Sequence, residues 1–168
     1  PKEAPGMGAK AKKAAAEAAE DPNQVAFSKM EIRVGEITKC WNHPSADKLF
    51  CEEIELGPEI GTREVASGLR AHYELADMLN RRVLVVCNLK PAKMVGFESA
   101  GMVLAAKSDD GSKMELLAPP ADAAVGERVF LEGVTGVAWS ANKVTKKKVW
   151  NTVTPDLRTD ETCAACWQ

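Results

Sequence analysis

No apolar run in this chain of 168 residues approaches 18 positions, so a membrane-spanning helix is excluded. The N-terminus has no apolar signal-peptide core, and nothing in it points to secretion. It begins at Pro1 without an initiator Met, as expected of a processed chain or an excised piece. Histidine is nearly absent: His43 and His72 stand alone, and no spacing suggests a Ser-His-acid order. There is no GxxxxGKS/T phosphate loop, and Asp109-Asp110 reads as an acid pair in a turn. Catalysis by this chain alone is not expected. Five cysteines cannot all pair with one another, so a disulfide framework fits poorly and a reducing compartment fits better. Cys40, Cys51 and Cys87 sit in or beside apolar runs, where a free thiol acts as a small buried hydrophobe. Cys163-Ala164-Ala165-Cys166 has zinc-ligand or redox spacing, and Cys40 to His43 repeats it. A lone CxxC is weak, however, and no metal or other cofactor is expected.

An excess of charge of one sign is also missing. The formal net charge is -2, from 22 Lys and Arg against 24 Asp and Glu. The charge is nevertheless segregated. The acids Glu31, Glu36, Asp47, Glu52, Glu53, Glu55, Glu59, Glu64, Glu74 and Asp77 crowd the first half, whereas Arg81, Arg82, Lys90, Lys93 and Lys107 face only Glu98. A further basic block follows at Lys143, Lys146, Lys147 and Lys148. Segregation of this kind leaves a local field able to guide an anionic partner.

The length suits one well-packed domain. Residues 1–26 read as a frayed helix or linker rich in Ala, Lys and Glu, with Lys10, Lys12 and Lys13 as a weaker candidate RNA-touching arm. Met30, Ile32 and Val34 alternate with polar neighbours, and Gly35 sits where a bulge would absorb the slip to Ile37. Further strands are expected at Leu49–Leu56, where Glu52 breaks the pattern, and at Thr62–Ala66, Met102–Ala106, Met114–Leu117 and Arg128–Leu131. Val83–Cys87 lacks any polar residue and reads as a strand buried on both faces. Tyr73–Leu79 is the one internal helix. These elements predict an all-β fold: a five-stranded OB-fold barrel over residues 27–136, with one short internal helix and a C-terminal accessory module over 137–168. A small β-sandwich is the alternative. Asn142–Val153 is expected to be helical, with Trp150 anchoring it to the barrel.

The sharpest segment is Asn88-Leu89-Lys90-Pro91-Ala92-Lys93-Met94-Val95-Gly96. Pro91 restricts the backbone between two lysines, and ammonium groups held in this way can contact adjacent phosphates. Asn88 carries a donor and an acceptor suited to a base edge or sugar hydroxyl. Ser99 and Gly101 follow, with Met102 either core or an apolar wedge under a base. Ser67-Gly68-Leu69-Arg70 forms a second small-residue turn with a cation. Arg33 and Lys39 project from the first strand beside Glu31 and Glu36. Lys146-Lys147-Lys148 adds a cationic block next to Trp150. Taken singly, each lysine reads equally well as a solvated surface residue.

Several of these segments resemble one family in combination. Ser28 to Gly35, Asn42-His43-Pro44-Ser45-Ala46-Asp47-Lys48-Leu49, Val65 to Leu69, Cys87 to Met94, Glu98 to Met102 and Leu117-Ala118-Pro119-Pro120 are similar to the tRNA-binding OB domain of the endothelial-monocyte-activating-polypeptide family. The likeness runs over about residues 27–168. It implies largely sequence-nonspecific binding of tRNA, as a domain appended to an aminoacyl-tRNA synthetase or acting in trans with its catalytic domain. It also implies a cytoplasmic monomer with no membrane partner. Site residues carried over are Asn88, Lys90, Lys93, Ser99 and Met102, then Arg33 and Ser67, with Lys146, Lys147 and Lys148 added from the charge pattern. Lys146 through Leu157 resembles the start of the family's C-terminal module, although the chain stops at Gln168, earlier than such modules usually do. Val95 stands where the family often has Arg, and Glu36 where a neutral or basic residue is frequent. Both departures predict weaker but still salt-sensitive binding. The alternative is a protein-interaction or cytokine-like module with negligible tRNA affinity.

Overall fold

Alternation of Ile32 and Val34 with Arg33 commits one face of the first strand, β1 (Ile32–Asn42), to burial. The computed structural model describes Asp21 and residues 23–168, so the expected arm of Lys10, Lys12 and Lys13 lies outside the described residues. β2 (Phe50–Glu55) pairs with the second half of β1, and β3 (Thr62–Ser67) pairs with β2. After one short helix, α1 (Leu75–Met78), β4 (Arg82–Val86) pairs with the first half of β1. A hairpin of β5 (Ala92–Met94) and β6 (Phe97–Ser99) follows. β7 (Met102–Val103) then joins β4, and β8 (Ala105–Lys107) pairs with β9 (Met114–Leu116).

The main sheet runs β3-β2-β1-β4-β7, and every pair in it is antiparallel. Its two edges meet. The Ala100 N–H donates to the Glu64 carbonyl at 2.8 Å, and the Ala66 N–H donates to Ser99 Oγ at 3.0 Å. The result is a near-closed five-stranded antiparallel barrel of the OB type, with Ser99 acting as its buckle.

β4 is buried on both faces beyond Arg82, as the absence of polar residues from Val83–Cys87 predicts. Val83, Val85 and Cys87 enter the barrel core with Ile37, Phe50, Ile54, Leu56 and Val65. Val86 faces the other way, into a cluster with Phe27, Met30, Ile32, Trp139, Val144, Val149 and Val153. Each fully buried Val or Ile contributes about 1.5–3 kcal/mol, so the second cluster is a substantial glue between the barrel and the C-terminal segment. The thiols of Cys40, Cys51 and Cys87 behave as packing groups. Burial pushes Cys40 up to about 12 and Cys87 up to about 11, far from the reactive thiolate range.

The C-terminal segment is two short helices, α2 (Ala141–Lys146) and α3 (Val149–Val153), then a hairpin of β10 (Leu157–Thr159) and β11 (Ala165–Trp167). A single helix over 142–153 would set Val144 and Val149 on different faces, five residues apart. Lys148, at φ 52°, breaks the helix and re-aims the chain so that both valines are buried. Trp150 packs against the second cluster, which is the anchoring role expected of it. The Trp167 Nε1–H donates to the Val153 carbonyl at 3.0 Å.

Three local expectations are corrected. The bulge lies at Thr38, between the Ile37–Ile54 and Lys39–Glu53 pairs, whereas Gly35 pairs regularly with Val83. Arg128–Leu131 makes one bridge to Arg33 and no strand, because the Arg128 guanidinium bonds the carbonyls of Ser28, Met30 and Gly136 and draws the chain off the ladder. Residues 92–99 form a hairpin where the sequence suggests only a turn.

Gly35 has a steric reason. A Cβ there would lie 2.6 Å from Ile54 Cγ2 and 2.9 Å from Leu56 Cδ2, inside the barrel wall. Gly35→Ala is expected to destabilise the fold by about 1–3 kcal/mol through overpacking, read as a lowered urea midpoint with an unchanged slope.

Candidate nucleic-acid interface

The β5–β6 hairpin turns at Val95-Gly96, with φ of 50° and 84°, a two-residue connection that favours Asn-Gly over a β-branched residue. The end of the hairpin next to this turn is wedged in place. Phe97 meets Trp41 at 6.0 Å and His43 at 6.3 Å between centroids, both edge-on. His43 Nδ1 accepts the Ser45 N–H at 3.1 Å, so the turn of the His43–Leu49 motif supports the hairpin from below.

Between this hairpin, the end of β3 and the start of β7 lies a cleft of about 360 Å³. Leu69, Leu89, Met94, Met102 and Met114 give it apolar walls, and Lys90 stands on its lining. Lys90 and Lys93 are exposed, and no carboxylate of the described residues pairs with either. Glu98 stands opposite Lys93 across the hairpin and offsets part of its field.

Asn88 is 4% exposed and spends its amide inside the chain. Its Nδ2 donates to the carbonyls of Lys29 and Trp139, each at 2.9 Å, and its Oδ1 accepts the Glu31 N–H at 2.9 Å. Direct base or sugar reading by Asn88, expected from sequence, gives way to a positioning role. It fixes the Lys90–Lys93 loop to a second cationic feature. There the Trp139 ring has Lys143 Nζ at 3.9 Å and Lys29 Nζ at 4.5 Å, and a hollow of about 280 Å³ is lined by Lys29, Trp139 and Lys147. Lys146 and Lys148 are exposed on the same α2–α3 turn.

Ser67, Lys90, Ser99 and Met102 therefore line one cleft, with Lys93 on the hairpin beside it. Ser99 is 4% exposed and engaged twice, accepting from the Ala66 N–H and donating to the Gly101 carbonyl. Arg33 is not with them. Its guanidinium bonds Glu31, Glu59 and the Gly126 carbonyl. Burial works against its charge, and the hydrogen bonds to the two carboxylates outweigh it, so its pKa is raised. It is an internal staple.

Sequence reasoning passed over Glu52, Trp139 and Lys29. Glu52 is 0% exposed and accepts a short hydrogen bond from the Ser67 hydroxyl, while its Oε2 has no partner. Burial pushes its carboxyl up to about 7 against the opposing effect of the Ser67 bond. Its break in the β2 pattern was the visible signal. Lys29 gave none, because its place beside Trp139 depends on tertiary contact. Among the described residues no His, Cys, Asp and Glu side chains gather three together as metal ligands.

Comparison with known proteins identifies the family and the fold. The family profile described as "Putative tRNA binding domain" matches residues 32–128, more than half of the chain. The cytoplasmic methionine–tRNA ligase of Arabidopsis thaliana is 48% identical over 86% of this chain and 18% of its own length. The aminoacyl tRNA synthase complex-interacting multifunctional protein 1 of Mus musculus is 39% identical over 94% of this chain and 49% of its own length. This chain thus spans less than half of either relative. The crystal structure of the C-terminal domain of Plasmodium vivax p43 superposes with a TM-score of 0.75 at 33% identity, covering 84% of this chain and 85% of that one.

Asn88→Ala should leave the Trp139 carbonyl and the Glu31 N–H without their partner, the Lys29 carbonyl keeping the Trp139 N–H, and cost roughly 2–4 kcal/mol, measurable by urea denaturation. Glu52 holds its proton more tightly folded than unfolded. Its contribution to stability is therefore complete below its ordinary pKa of about 4.5 and is lost as the pH rises through about 7. In thermal melts at a series of pH values, Glu52→Gln should flatten this decline between those limits relative to the parent chain.

Proposed function

We propose, since the chain belongs to the tRNA-binding domain family, that it binds tRNA with little sequence specificity and raises the supply of tRNA to an aminoacyl-tRNA synthetase, in cis or in trans. The observation that carries this reading is the Lys90–Lys93 hairpin overhanging an apolar cleft and tied by Asn88 to the lysines around Trp139. Dispersed ammonium groups suit phosphates, which fix orientation without reading bases. The apolar methionine walls suit the face of any base. Of the residues carried over from the family, Lys90, Lys93 and Met102 act as contacts, with Lys146, Lys147 and Lys148 steering from a distance. Asn88, Ser99 and Arg33 shape the surface from inside.

The reading extends to a cytoplasmic monomer. Support for the monomer is the cover that Trp139, α2 and α3 give to the outer face of β4. Support for the compartment is the likeness to the methionine–tRNA ligase of Arabidopsis thaliana, a cytoplasmic enzyme. No helix of the described residues is long and apolar enough to cross a membrane.

The test is titration with several unrelated tRNA transcripts at a series of salt concentrations. Joint replacement Lys90→Ala and Lys93→Ala should weaken all of them about equally and reduce the log–log salt slope by about 2, one for each lost phosphate contact. A double variant that binds with unchanged affinity and slope would sink the chosen face. Absence of tRNA binding by the parent chain at low salt would sink the function itself and favour a protein partner.

A further inference from the structure

Ser67 is the residue at which a polar group of the barrel interior comes to the lining of the cleft. Ser67 is 8% exposed and lines the cleft wall, and behind it Glu52 sits wholly inside the barrel between Phe50 and Ile54. A hydroxyl has one proton and two lone pairs. With Glu52 ionised, the Ser67 proton is committed to Glu52 Oε1. What remains for the cleft is acceptor character alone. The neighbouring hydroxyl, Ser99 Oγ, already gives its proton to the Gly101 carbonyl and accepts from the Ala66 N–H.

Resting on the tRNA-binding reading above, we infer that Glu52 orients Ser67 as a hydrogen-bond acceptor that receives the ribose 2′-hydroxyl of a nucleotide seated in the cleft. The donor class follows from the polarity of the wall. A phosphate oxygen offers no proton and would meet the Ser67 lone pairs repulsively. Exocyclic amino groups are donors on some bases only, whereas the 2′-hydroxyl is a donor on every ribonucleotide, which matches a site that ignores sequence. The arrangement is also consistent along the nucleotide. Lys90 lies at the cleft for the phosphate, methionines provide the wall for the base, and the sugar is the part left between them. The pair Glu52–Ser67 thus distinguishes RNA from a chain without 2′-hydroxyls while leaving base identity unread.

The experiment compares one tRNA transcript with the same transcript bearing 2′-fluoro groups in place of its 2′-hydroxyls, a change that keeps the sugar pucker and removes the donor. Binding is measured by fluorescence anisotropy at pH 8, where Glu52 is ionised. The parent chain should prefer the hydroxyl form by roughly 3- to 10-fold, the effect of one hydrogen bond. Ser67→Ala should bring the ratio near 1 by weakening the hydroxyl form only. Glu52→Gln, which can donate to Ser67 and turn its proton toward the cleft, should also lower the ratio, with circular dichroism and melting showing the fold intact. A purely structural role for the pair would lower both affinities together and leave the ratio unmoved. A parent ratio of 1, or a ratio indifferent to Ser67→Ala in a protein that still binds tRNA, overturns this inference and leaves the tRNA-binding reading standing. Failure of the parent chain to bind either transcript overturns that reading as well.

Discussion

Three hydrogen bonds made by one buried amide hold the candidate interface together. Asn88 joins the segment before β1, through Lys29 and Glu31, to the start of the C-terminal segment, through Trp139. The two segments also meet directly, the Trp139 N–H donating to the Lys29 carbonyl at 2.9 Å, but without this amide the Trp139 carbonyl and the Glu31 N–H would lose their partner. Burying unpaired polar groups is costly, and a full set of partners fixes one arrangement over its neighbours. Lys90 follows two residues later in the same loop, which places its charge relative to those beside Trp139. A contact that touches no ligand thereby determines which charges can act together.

Arginine and lysine divide the labour in this chain. Arg33, Arg63, Arg82 and Arg128 each donate to main-chain carbonyls, at Gly126, at Cys87 and Ala100, at Ala121 and Ala123, and at Ser28, Met30 and Gly136. A planar fork of donors suits two carbonyls held at fixed spacing, and its weak hydration makes partial burial cheap. Lysine keeps its charge on a long stem in water. The exposed cations of the candidate interface are accordingly lysines, and the net charge of -2 says little about the field at the cleft. Much of the acidic first half is likewise occupied internally, as Glu31 and Glu59 are by Arg33 and Glu53 by Lys39.

Strand periodicity made the barrel legible. β4 announced itself by lacking polar residues, and β1 by alternation, because burial on one or two faces of a strand leaves a period that can be read. The candidate cleft was legible only in part. Lys90, Met102, Ser67 and Ser99 do line one space, but their directions could not be read from residue type. Asn88 and Arg33 carry donors that serve an RNA or a carbonyl equally well, and only the neighbours of each decide which. The β5–β6 hairpin was hidden because Val95 is a poor residue for its left-handed turn position, so the usual turn signature is missing. The bulge was misplaced by one glycine for a related reason. Gly35 is needed for close packing against Ile54, and a glycine in a strand looks the same whether it relieves a slip or a clash.

Glu52 is the residue that packing alone does not account for. It points between Phe50 and Ile54 into a core otherwise apolar, and an aliphatic side chain there would avoid both the desolvation and the unpaired Oε2. Its one hydrogen bond runs to the one hydroxyl that the cleft wall presents without a second partner inside the chain. A carboxyl that weakens the core but sets the polarity of a surface hydroxyl makes physical sense if that hydroxyl meets a ligand. Recognition of a sugar would then be built from behind the wall, by the group that aims the serine, while the phosphate is met from in front by lysines the solvent already reaches.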